Sequence, residues 1–166
     1  RVNTVPDING VAGRTHNVRD SSGQERVGRF GWKADTATLD EFIAEAMRNE
    51  MGLTTPLAAQ DIVPIPPGCG LVASPKFDIN IVKALSAFVS SLPAPTSGNA
   101  PLNSAGAALF TSVGCAACHT PALPGAGRMI PLYSDLLLHD MGRALDDGVV
   151  QGQARGRDWR TTPLWG

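Results

Sequence analysis

Aromatic side chains are scarce: five phenylalanines, three tryptophans and one tyrosine in 166 residues. Side chains alone would make a thin core for so loop-rich a chain, which points to a bound cofactor as filler. Net charge is nearly absent, with 14 basic groups against 15 acidic. That removes the main electrostatic reason to expect nucleic acid or an anionic membrane surface as partner. No run approaches the roughly 18 consecutive apolar residues of a membrane span; the most apolar segment, 79–92, is interrupted by Asn80, Lys83 and Ser86. The opening Arg1-Val2-Asn3-Thr4 lacks the charged and apolar regions of a secretory leader, so a leader has been removed or the chain is a segment. No strand-like alternation of useful length and no 20–50-residue repeat is present.

Glycine and proline, by contrast, are plentiful at 18 and 13 residues, so much of the fold must be loop. Residues 1–34 carry no sustained period. A helix is predicted over 36–51, with Leu39, Phe42, Ile43, Ala46 and Met47 on one face, Asp35 or Thr36 as cap and Gly52 as stop. Residues 53–77 hold five prolines and read as a long wrapping loop. A second helix is predicted over 78–92, with Ile81, Val82, Leu85, Phe88 and Val89 in a stripe, and a third over 104–111, closing at Gly114. The Pro-, Ser- and Gly-rich 93–103 reads as a linker between a 1–92 region and a 104–166 domain. The chain is thus expected to be mainly α with long Gly/Pro-rich loops.

Two of the three cysteines fall in Gly114-Cys115-Ala116-Ala117-Cys118-His119, the Cys-x-x-Cys-His pattern of covalent haem attachment. Two cysteines on one helical turn present both sulfurs to the edge of a porphyrin, where they can add to its vinyl groups. His119 then reaches the iron through one ring nitrogen. Its other nitrogen should donate to a backbone carbonyl, for which Pro124 and Pro131 are candidates. A thioredoxin-like pair would want a βαβ context that is missing. A structural zinc site would want a second close-spaced ligand pair, which Cys69, His16 and His139 do not supply. A disulfide is not excluded by spacing. One covalent haem c is expected, and attachment of that kind implies a periplasmic or otherwise exported chain. Cys69 reads as a small apolar residue of the wrapping loop.

Further blocks recur in a fixed order: Gly28-Arg29-Phe30-Gly31-Trp32-Lys33-Ala34, Asn49-Glu50-Met51-Gly52-Leu53-Thr54, 114–121, 133–142 and Trp159-Arg160-Thr161-Thr162-Pro163-Leu164-Trp165-Gly166. Together they resemble the bacterial di-haem oxidoreductases of the thiol oxidoreductase-like group, which are similar to di-haem cytochrome c peroxidases. The resemblance implies cytochrome c-like domains, a first haem motif before residue 1 and closing helices after residue 166. It also implies a redox partner protein or second haem domain, and either a di-haem peroxidase-like enzyme or, as the alternative, a mono-haem electron-transfer protein. Within it, Trp32 matches a tryptophan between the haems, an ordinary packing tryptophan being the other reading. Glu50 matches an acid near the peroxide-binding haem, against a solvated carboxylate at a helix end. Phe42 stands where the peroxidases carry a glutamine, and a phenyl ring cannot hydrogen-bond to peroxide. His139 is a candidate sixth ligand to the iron, with a histidine bonded to Asp140 or to backbone as the alternative. Arg29 and Arg160 are candidates to pair with haem propionates.

Overall fold

The computed structural model describes residues 10–62, 75–95, 104–125 and 127–164. The loop cysteine Cys69 and most of the 93–103 linker therefore lie outside the described residues. The described elements are three α-helices of 13, 13 and 9 residues, α1 (Leu39–Met51), α2 (Ile79–Ser91) and α3 (Ser104–Ser112), and six strands. The strands are β1 (Asn17–Arg19), β2 (Glu25–Val27), β3 (Leu123–Pro124), β4 (Met129–Ile130), β5 (Leu138–Asp140) and β6 (Asp158–Arg160), paired in sequence order as three two-stranded sheets. The mainly α, cytochrome c-like expectation is thereby corrected. Strands of two or three residues are too short to write a period-two pattern, and they arise where loop segments pair their backbones.

The chain forms two compact units. One comprises residues 1–17, 27–35 and 94–166, the other residues 18–26 and 36–93.

In the second unit α1 starts where Thr38 accepts the Glu41 N–H and the Glu41 carboxylate reaches back to the Thr38 N–H, a reciprocal cap. Thr38 thus takes the place predicted for Asp35 or Thr36, because the carboxylate three residues on completes the box. Gly52 ends the helix in the left-handed region, as the sequence predicts. Asp78 caps α2 by accepting the Asn80 N–H at 2.7 Å. The core here is Ala44, Met47, Ala58 and Val82, with Ile43, Leu53, Leu57, Ile79 and Ile81 packed around it. Only the first half of the α2 stripe is covered: Leu85, Phe88 and Val89 stay exposed. Asp20 braces the β1–β2 turn, and the Ser22 hydroxyl and then Arg26 bring its carboxyl down to about 2.

Among the described residues, Thr55 Oγ1 is the buried side-chain oxygen with no hydrogen-bond partner. An unpaired buried hydroxyl is costly, so Thr55→Val is expected to stabilise this unit by about 1 kcal/mol. Denaturant unfolding checks this, and a lower midpoint would refute it.

The first unit is built differently, around polar groups. Among the described residues its apolar cluster is Ala34, Leu138 and Ala154, with Leu132 and Leu137 also buried, while His16, Lys33, Ser134, Asp135, His139 and Asp158 are buried in the same unit. β5 and β6 run antiparallel, with Leu138 opposite Arg160, His139 opposite Trp159 and Asp140 opposite Asp158. Arg14 extends this ladder, exchanging both backbone bonds with Leu138 at 2.9 Å. The Asp158 carboxylate accepts from Arg14 Nη2 at 2.7 Å and from Arg155 N, Nε and Nη2 at 2.8, 3.0 and 2.9 Å. Lys33 Nζ donates to the carbonyls of Arg155, Gly156 and Asp158 at 3.2, 2.9 and 3.3 Å. It also pairs with Asp147 at 3.2 Å and sits 4.0 Å from the centroid of the Trp159 ring. His16 donates from Nδ1 to the Lys33 carbonyl at 2.8 Å and accepts the Gln153 N–H on Nε2 at 3.1 Å. Each buried polar atom in this group is therefore spoken for, which is the condition for burying it at all. Gly28 lets the chain cross this region: a methyl there would stand 1.8 Å from the Ala34 carbonyl oxygen.

Candidate functional site

α3 runs straight into the cysteine motif. Gly114 ends the helix in the left-handed region at φ 91°, a conformation that favours glycine, and Cys115–Ala117 form a 3-10 turn. Side chains three apart eclipse on such a turn, so Cys115 and Cys118 share one edge. His119 follows, its N–H donating to the Cys115 carbonyl at 2.9 Å. No disulfide joins the two thiols in this structure.

The imidazole of His119 is oriented from behind. Its Nδ1 donates to the Tyr133 carbonyl at 2.8 Å, and so Nε2 keeps its lone pair. The acceptor is thus Tyr133 rather than Pro124 or Pro131. Tyr133 sits at φ 51°, and that left-handed turn aims a carbonyl where an extended backbone would not. The Phe110 ring meets His119 and Tyr133 edge-on, with centroids 6.5 and 5.6 Å apart.

Cys115, Cys118 and His119 open onto one cavity of about 630 Å³. Its other walls are Trp32, Trp159, Met141, Leu145 and Leu164, with Arg160 and two threonines. Two thiols on one edge, an imidazole with a vacant Nε2 and mostly apolar walls are the donor set and lining that a haem requires, so the residues fit the group. Among the described residues no group of three or more His, Cys, Asp or Glu could hold a bare metal ion, and the zinc reading finds no donor set there.

Trp32 is 70% exposed while lining the cavity, and its carbonyl accepts the Arg160 N–H at 2.8 Å. Trp159, which the sequence reading passed over, is fixed on both sides: Nε1–H donates to the Leu145 carbonyl at 2.7 Å and Lys33 lies over its face. The Arg160 guanidinium donates from Nε to the Gly31 carbonyl at 2.8 Å, and burial pulls its pKa below the ordinary arginine value. Arg29 is exposed, with its guanidinium carbon 5.6 Å from the ring centroid of its neighbour Phe30. Glu50 is an exposed carboxylate in the last turn of α1, in the second unit.

His139 reaches the cavity wall, but both its nitrogens are engaged. Nε2 faces Asp135 Oδ2 at 2.9 Å and Nδ1 faces Cys118 Sγ at 3.5 Å. An iron ligand needs a lone pair turned to the metal, and here the Nδ1 lone pair faces the Cys118 thiol. Its partner is Asp135, not the neighbouring Asp140. Burial opposes ionisation of Asp135, yet hydrogen bonds from His139, the Leu137 N–H and Thr161 outweigh it and hold the carboxyl below the usual carboxylate range. The Asp-x-x-x-His spacing of 135 and 139 was the only sequence signal for this pair.

Residues 65–166 match the family model described as "Di-haem oxidoreductase, putative peroxidase". The chain belongs to that family. No curated protein and no solved structure matches it. Membership in the di-haem oxidoreductase family agrees with the resemblance carried by the sequence blocks. The family is one of haem proteins, and the matched stretch includes Cys115, Cys118 and His119.

Proposed function

We propose that this chain is a c-type haem redox segment of an exported di-haem oxidoreductase, carrying one haem bonded through Cys115 and Cys118 with His119 Nε2 on its iron. The observation that carries this reading is the shared opening of those three side chains onto one cavity, with His119 Nδ1 already committed to Tyr133. When bound, the haem supplies one-electron redox chemistry. The chain's own residues do the rest: His119 is oriented by Tyr133, the apolar wall of Trp159, Leu145 and Leu164 limits water, and Arg160 offers its guanidinium to a propionate. Covalent haem attachment is made outside the cytoplasm, which is what supports the exported part of this reading. Its partner is a second haem, on another domain or on a redox protein, and the family description makes peroxide the substrate to test first.

Intact mass combined with iron per chain tests the reading. One covalent haem is expected; colourless protein whose Cys115 and Cys118 both alkylate would overturn it. The alternative of an electron carrier without substrate chemistry is favoured by one residue of the sequence, Phe42, which stands where the resemblance implies the hydrogen-bonding glutamine of the peroxidases. Mixing reduced protein with peroxide separates the two. A high-valent spectrum marks the enzyme, and slow simple oxidation marks the carrier.

Trp32 stands at the mouth of the cavity with most of its indole exposed. As a relay it would pass electrons between the haems, so Trp32→Phe is expected to slow interhaem transfer at least about tenfold, the rate change of 1.4 kcal/mol in barrier. Flash-initiated transfer kinetics check this, and an unchanged rate would make Trp32 a packing residue.

A further inference from the structure

Cys118 has a partner that haem binding by itself would not require. Its Sγ lies 3.5 Å from His139 Nδ1, and the opposite nitrogen of that imidazole lies 2.9 Å from Asp135 Oδ2. His139 is 5% exposed and Asp135 2%. The arrangement is braced by backbone. Asp135 Oδ1 accepts the Leu137 N–H at 3.0 Å, and the Asp135 N–H donates to the Cys118 carbonyl at 3.1 Å. An ionised Asp135 takes the proton on Nε2, which leaves the Nδ1 lone pair facing the thiol. Cys115, three residues earlier, is the more exposed of the two cysteines.

We infer that His139, positioned by Asp135, is an acid–base residue for covalent haem attachment and makes Cys118 the favoured thiol. This rests on the covalent-haem reading above. In the step, Cys118 Sγ bonds to one vinyl carbon while its hydrogen passes to His139 Nδ1, and the other vinyl carbon receives a hydrogen in return. An S–H bond has been added across a C=C bond, and nothing is oxidised or reduced. His139 contacts the reacting sulfur; Asp135 acts through the ring, by fixing its tautomer and its angle.

The test is a haem-peptide map of the full chain produced in cells that attach haem. In the parent, both sulfurs should be thioethers. In His139→Phe, the Cys118 thioether should fall at least about tenfold, since a positioned acid–base group is worth 100-fold or more. Haem should then be held by Cys115 alone, Cys118 should become alkylatable and the pyridine haemochrome should show a retained vinyl group. Asp135→Asn should show the same loss to a smaller degree, with Asp135→Glu restoring part of it. A His139→Phe protein with both thioethers intact overturns this assignment alone, whereas a colourless parent overturns the covalent-haem reading and the assignment with it. A measurement without variants stands beside these, should the substitutions prevent folding. In the full chain produced without haem, Cys118 should alkylate faster than the more exposed Cys115. An equal or slower rate counts against the role of His139.

Discussion

Replacing Asp158 with alanine is expected to cost the first unit about 3 kcal/mol, the low end of the range for breaking a buried ion pair. Its carboxylate is 1% exposed and receives Arg14 on one side and three donors of Arg155 on the other. The low end applies because the two guanidiniums are themselves 40% and 53% exposed, so water can reach them once the carboxylate is gone. Asp158 also holds β6 in register: its backbone pairs with Asp140, and its carbonyl is one of three around Lys33. Denaturant unfolding followed by tryptophan fluorescence measures the effect, with Trp159 next in sequence as reporter. A loss under 1 kcal/mol would show that the arginine cluster is ornamental.

The same carboxylate sets a pH dependence. Burial opposes its ionisation, but the donors of Arg155 and Arg14 overcome this and hold Asp158 well below the usual carboxylate range. Asp135 is lowered too, against its own burial. A carboxyl with a depressed folded-state pKa contributes its full stability above the unfolded-chain value, and loses it as pH falls toward the folded value, because the unfolded chain takes up the proton first. Stability of the first unit should therefore be flat near neutrality and decline below about pH 4. Asp158→Ala should flatten that acid limb, and an unaltered limb would assign the acid sensitivity elsewhere.

The second large effect concerns the cysteines. Changing Cys115 and Cys118 together to serine should abolish covalent haem: the mass returns to that of the polypeptide, and haem staining disappears after denaturing electrophoresis. His119 would remain aimed into the cavity by Tyr133, so loosely held haem could still be bound and then extracted by acid solvent. Covalent pigment surviving in the double variant would mean that attachment lies elsewhere in the chain.

The legible and illegible parts of this molecule differ in kind. α1 and α2 could be read because side chains announce helices through their apolar period, and Gly52 stands where the stop was expected. The cysteine motif could be read because three reactive side chains sit within five residues. The acceptor behind His119 could not, since Tyr133 contributes a carbonyl that every residue possesses, and only its turn distinguishes it. Nothing in the sequence around Lys33 marks it for burial. It is buried because Arg155, Gly156 and Asp158 bring three carbonyls from far along the chain, and long-range backbone convergence leaves no local pattern. The mainly helical expectation failed for the same reason, as the β5–β6 pair joins segments about 20 residues apart with three residues each.

The left-handed turn at Tyr133 has a bearing on how a cofactor would be received. Holding a non-glycine residue there costs roughly 1–3 kcal/mol, a cost met by the surrounding fold. In return the imidazole of His119 is preorganised: ring rotation is arrested before any porphyrin arrives. Capture of a haem would then forfeit little side-chain entropy, because the polypeptide sets the imidazole beforehand.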